Sequence, residues 1–130
     1  MAVIPDNVLD ILAEPESVKM LGTVNDLGEP NVVIISTLSV LTPEKIAFAD
    51  VCLGKTKANL KQNGKLTIGV IGYEKKAYQI KCKFVHFDNK TSIFESWYDA
   101  VYERMMMHQL RSVAIANVIE VSEAGLDLPG

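Results

Sequence analysis

"SVKMLGTVNDLGEPNVVIISTLSVL", Ser17 to Leu41, decides the fold class. Two runs rich in β-branched and apolar residues, Ser17 to Asn25 and Asn31 to Leu41, flank Asp26-Leu27-Gly28-Glu29-Pro30. Such runs favour extended backbone, and a Gly/Pro-containing turn between them predicts a hairpin. Downstream, "EKIAFAD" (Glu44 to Asp50), "KLTIGVIG" (Lys65 to Gly72), "KKAYQIKCKFVHFD" (Lys75 to Asp88) and "RSVAIANVIEVS" (Arg111 to Ser122) read as four more strands. In the fifth strand Tyr78, Ile80, Cys82, Phe84 and His86 fall on one face, opposite Gln79, Lys81 and Lys83. Helical spacing occurs at Val8, Leu9, Ile11 and Leu12, between Pro5-Asp6 and Pro15. It returns from Thr91 to about Met107, where Ile93, Trp97 and Val101 stack, as do Phe94, Tyr98 and Tyr102. A doubly wound parallel sheet alternates strand with helix throughout, which this order does not. Six short strands and few helices predict an antiparallel barrel that closes its own edges.

The chain has 130 residues, 48% hydrophobic and 22% charged, the composition of one packed domain spanning 1–130. No apolar run approaches the roughly 20 residues of a membrane helix. The start, "MAVIPDNVLDILAEPE", lacks the basic region and long apolar core of a signal peptide. Cys52 and Cys82 show no CxxC or metal-type spacing. Two such thiols point to a reducing compartment, and the expected location is the cytoplasm.

Positive charge gathers in "VCLGKTKANLKQNGKLTIGV", Val51 to Val70. Without Lys55, Lys57, Lys61 and Lys65 the chain carries 9 basic residues against 16 acidic ones. That body repels polyanions, so a local cluster suits a small anion better than a polymer. Gly54 permits a sharp turn, Thr56 is expected to N-cap a short helix through "KANLKQN", and Gly64 is expected to end it. A helix start offers free N–H groups and partial positive charge, to which Lys55 and the Thr56 hydroxyl add. Lysine there opposes the helix dipole, a conflict that a bound phosphate offsets. A capped surface helix with solvated lysines satisfies the same spacing. Neither the Walker GxxxxGK(S/T) loop nor the GxGxxG fingerprint is present.

From about Ser17 to Ser122 the order of hairpin, "KIAFAD" and "GKTKANLKQNGKLTIGV" resembles the FMN-binding split barrels of the pyridoxamine 5'-phosphate oxidase-like group, in particular its small FMN-binding proteins. The resemblance implies a mainly β fold: a six-stranded antiparallel split β-barrel of Greek-key type with two or three short helices. It implies FMN as cofactor and a homodimer with flavin sites at the subunit interface. Carried onto this chain, Lys55 and Thr56, at the turn opened by Gly54, hold the phosphate, and Asn59 orients the loop. Phe48, Ala49 and Asp50 line the ring and ribityl chain. Val33, Ile34, Ile35, Ser36 and Thr37 run along the flavin, with Ser36 and Thr37 as polar contacts. Relatives often carry an aromatic residue or arginine in the second or third strand, where this chain has only Phe48, and a glycine where Cys82 stands. The carboxyl-terminal "EVSEAGLDLPG" lacks the basic and aromatic residues of the vitamin-B6 oxidases, so that activity is not expected.

His86 and His108 have no carboxylate or cysteine partner at ligand spacing, so no metal site is expected. Met105, Met106 and Met107 read as packing residues suited to a subunit contact. Trp97 is expected against the barrel, and Cys52, beside the lysine loop, as inert. No nucleophile with its base, and no carboxylate pair, stands out. The expectation is therefore a flavin protein passing electrons or hydride between unidentified partners, because FMN supplies the redox chemistry itself. Haem or F420 in the same fold is the nearest alternative. A nucleic-acid binder is another, disfavoured because Gly54 to Lys65 contains no aromatic to stack on bases.

Overall fold

Alternation along β1 (Val18–Val24) and β5 (Lys65–Ile71) sends Leu21, Thr23, Leu66, Ile68 and Val70 to one face, where all five are buried. The computed structural model describes residues 2–35, 37–50, 54–89, 94–95, 97 and 112–124. The remaining elements are α1 (Asp6–Ala13), β2 (Pro30–Ile35), β3 (Leu38–Thr42), β4 (Lys45–Asp50), α2 (Lys55–Asn63), β6 (Ala77–Asp88) and β7 (Ser112–Glu123). The strands form one sheet in the order β2-β1-β5-β6-β7-β4-β3, antiparallel at every step.

Seven strands replace the expected six, and the sheet is open rather than a barrel closed by hydrogen bonds. The difference lies within Asn31 to Leu41, which the sequence presents as one strand. Val33 and Ile35 pack on the core from β2, but Leu38 and Val40 do so from β3. A continuous strand would keep the same parity, so the chain shifts phase between Ile35 and Leu38. There it leaves β1 and takes up pairing with β4, and the Ala49 amide donates to the Thr37 carbonyl at 3.3 Å. Because β2 and β3 are the two sheet edges, only two residues link them, three Cα–Cα steps with a reach of roughly 11 Å. The sheet therefore curls, and one core joins residues of both edge strands to Phe48, Ile80, Ala116 and Val118.

A second mismatch concerns β6. The Phe84–Ala116 pairing is followed by His86–Ile115, so the register slips at Val85. This bulge reverses the alternation: Phe84 and Phe87 pack on the core while His86 is exposed. The expected shared face thus ends at Phe84.

Helix α1 covers one end of the core with Val8, Ile11 and Leu12, and Asp6 suits the positive helix start. Gly72 permits the close approach, since a Cβ there would sit 3.0 Å from Ile11 and from the Glu14 carboxylate. On the outer face of β4 and β7, Ala47, Val113 and Ile115 pack against Leu41, Phe94 and Trp97, which places Trp97 against the sheet as expected. Of the helix expected from Thr91 to Met107, only Phe94, Glu95 and Trp97 are described, and all three are helical. Ser36, Cys52, His108 and the three consecutive methionines lie outside the described residues.

Candidate functional site

Helix α2 has little apolar surface of its own, and among its residues only Leu60 joins the core. Polar contacts hold it instead. Asn31 donates to the Thr56 hydroxyl at 3.0 Å, Asn59 donates to Thr23 Oγ1 at 3.1 Å, and Asn63 donates to the Val24 carbonyl at 2.8 Å. These bonds recur at each turn along the face against β1 and β2. The hydroxyl of Thr56 is thereby fully buried and serves as an acceptor inside the first turn.

The cap position belongs to Gly54 and not, as expected, to Thr56. Gly54 has φ 52° and ψ −117°, a conformation open essentially to glycine alone, and a Cβ there would meet nothing within 4 Å. Gly64 ends the helix in the left-handed conformation, as the sequence indicates.

The four lysines have separate fates. Lys57 Nζ lies 2.6 Å from Asp50 Oδ2, and Ser112 Oγ donates to the same oxygen at 2.9 Å. Asp50 is 1% exposed, so this pair anchors the helix start to β4 and β7. Lys57 also lies 4.9 Å from the centroid of Phe87, and Lys61 lies 5.9 Å from it. Lys65 stands on β5, beyond the helix. Lys55 is exposed at the helix start, and among the described residues no carboxylate pairs with it.

The other sequence-derived site residues divide by burial. Phe48 is fully buried in the core, so its ring packs the sheet, and Ala49 is buried beneath Phe94 and Trp97. Val33 and Ile35 face the core, Ile34 points outward at 76% exposure, and Thr37 is half-buried at the corner between the edge strands. The structure brings Asp50, Gly54, Lys55, Thr56 and Asn59 together around the start of α2. It adds Asn31, Lys57, Phe87 and Ser112, which the motif did not single out. One signal was present: Asp50 closes the apolar run 46–49 of β4, and a buried carboxylate requires a partner. Ser112 and Phe87 become visible only once the strand register is known.

Cys82 is buried on β6, and burial pushes its thiol up to about 12. It is protonated and unreactive at neutral pH. Among the described residues no cluster of three His, Cys, Asp or Glu side chains forms a metal site. No helix among them is long and apolar enough to cross a membrane.

Neither a family model nor a curated protein matches the chain. Solved structures do. HupZ from Group A Streptococcus is 18% identical over 95% of each chain, with a TM-score of 0.79. An FMN-binding protein from Syntrophomonas wolfei is 20% identical, with 83% of this chain and 77% of that one covered and a TM-score of 0.75. A candidate pyridoxamine 5'-phosphate oxidase from Lactobacillus delbrueckii is 16% identical over 92% of this chain and 93% of its own, at 0.72. An F420 reductase and HutZ, the haem-storage protein of Vibrio cholerae, have TM-scores of 0.70 and 0.64 at 15% identity each. The fold is thus the split barrel of the pyridoxamine 5'-phosphate oxidase-like proteins.

Proposed function

We propose that this chain binds FMN non-covalently and serves in electron or hydride transfer, as a two-fold dimer whose subunits share each flavin site. The supporting observation is Lys55, exposed at the start of α2 directly after a glycine that opens the turn, while Lys57 is held by Asp50. That donor set fits a phosphate monoester: one mobile charge plus the N–H groups of a helix start. Thr56 contributes its backbone there, because its side chain is fully buried against Asn31. When bound, FMN supplies the redox chemistry, and the protein binds and orients it.

The ring then lies along the corner from Val33 to Thr37, with Ile34 as its outward apolar contact. Phe48, Ala49 and Asp50 support that wall from behind, through packing and through Lys57. The fold likeness to an FMN-binding protein agrees with this assignment. An absorption spectrum of the purified protein tests it. Flavin bands, present on isolation or after adding FMN, are the expected result. Their absence after FMN is supplied refutes the assignment, and haem or F420 bands redirect it to those ligands.

A further inference from the structure

The outer face of the sheet carries a trough separate from the start of α2. One cross-strand row there runs Val32, Gly22, Thr67, Lys81, Glu120, the last too far from Lys81 to form an ion pair with it. A neighbouring row runs Lys65, Lys83, Asn117, Lys45. Gly22 and Thr67 are small and form the floor of a cavity of about 410 Å³, with Val24, Val32 and Ile119 as walls and Lys65 and Lys81 among its lining. Val32 and Ile119 are 64% and 53% exposed.

Two features of this face are costly in an unliganded protein. Large apolar side chains stand in water around a concave floor. Lys65 and Lys83 are direct cross-strand neighbours, an unfavourable like-charge pairing. Lys83 turns its Nζ to the Asn63 carbonyl at 2.6 Å, but among the described residues no carboxylate forms an ion pair with Lys65 or Lys81. A ligand with a flat apolar body and one negative group relieves both costs. The volume lies near the lower end of small-ligand pockets, about 300–1,000 Å³. It suits a molecule of one or two rings.

We propose that the trough binds a small amphipathic anion of the aromatic-carboxylate kind. Its ring lies over Gly22 and Thr67, and its acid group lies between Lys65 and Lys81. This goes beyond the flavin assignment and does not depend on it. Asn31, which also lines the trough, sends its side-chain amide to Thr56, so the same strand borders both sites.

2-Naphthoate, a flat two-ring aromatic carboxylate that fluoresces itself, is a suitable probe for titration on the full chain. Saturable one-to-one binding is expected. The Lys65→Glu/Lys81→Glu double variant should weaken it at least about tenfold, the scale of one lost charge-assisted contact. Lys76→Glu, at an exposed lysine elsewhere, should leave it unchanged. Thr67→Trp should abolish binding by filling the trough over Gly22, and circular dichroism of that variant verifies its fold. FMN uptake by the same variants reports separately on the flavin site. Three results overturn the proposal: no saturable binding, full binding to Thr67→Trp, or an equal loss with Lys76→Glu. The last would identify diffuse charge as the cause.

Discussion

At the scale of the residue, the lysines of one short segment are chemically alike but placed differently, and that difference predicts their effects. Lys55→Ala should weaken FMN about tenfold to a hundredfold, the loss of one charge-assisted hydrogen bond of about 1.5–3 kcal/mol. Riboflavin, which has no phosphate, should be almost unaffected. Lys61→Ala should change little, because Lys61 lies over Phe87, two turns into the helix. Titration of both flavins against both variants measures this, and equal losses would show that the cluster acts only as diffuse charge. The Asp50–Lys57 pair predicts an effect on stability instead. Lys57→Met strands a carboxylate that is 1% exposed, with Ser112 as its remaining partner, and should cost about 3 kcal/mol. Asp50→Asn should cost less, since the amide oxygen still accepts from Lys57 and Ser112. Urea unfolding of the two variants gives the order. A third residue-scale prediction concerns Cys82. With the thiol pushed up to about 12 by burial, iodoacetamide should label Cys82 at neutral pH only as fast as the protein opens. Peptide mapping by mass spectrometry isolates that position from Cys52.

Elements were legible in the sequence where the local pattern and the tertiary environment agree. The β1–β2 hairpin, α1 between its two prolines, and the glycine end of α2 all follow from local chemistry. The break between β2 and β3 does not, because residues 31–41 are rich in β-formers on both sides of it and the polar pair Ser36-Thr37 brings no glycine or proline to mark a turn. Only the phase of burial, Val33 and Ile35 followed by Leu38 and Val40, reveals the corner, and burial depends on strands far away in the chain. The bulge at Val85 was hidden for the same reason. In the candidate site, Lys55 and Gly54 could be found from the motif, whereas the role of Thr56 could not. Threonine is a frequent N-cap, but here Asn31, 25 residues earlier, takes its hydroxyl into the helix–sheet contact. The geometry of Gly54 yields a prediction for the element as a whole. Gly54→Ala forces a φ of 52° and ψ of −117° on a residue with a Cβ, and should cost about 1–3 kcal/mol. Gly64→Asn should cost less, because asparagine tolerates the left-handed region and the nearby end of Lys83 can move. Thermal unfolding of the two variants compares them. FMN affinity should fall only for Gly54→Ala, which disturbs the phosphate end of α2.

At the scale of the whole molecule, the open sheet predicts that the proposed flavin site needs more than one chain to be complete. Pockets for ligands of this size enclose most of the ligand surface, about 70–90%. Around the start of α2 the side chains of Thr56, Asp50, Phe48 and Asn59 are already buried, which leaves Lys55 and the edge strand to receive a ligand. On that edge Ile34 is 76% exposed, and an uncovered apolar edge strand invites a second chain. Pairing through the Ile34 end of β2 about a two-fold axis would cover that residue and create two equivalent sites. Light scattering should therefore give about twice the 14.3 kDa chain mass. Ile34→Lys places a charge in the proposed seam without disturbing the core, and should shift the protein to a monomer. Flavin should be lost together with the dimer, both in this variant and on dilution of the native protein. Lys55→Ala should behave oppositely, losing flavin while remaining a dimer. A monomer that retains one FMN per chain would refute the shared site and leave the flavin assignment intact. A dimer of Ile34→Lys that retains its flavin would move the contact away from β2.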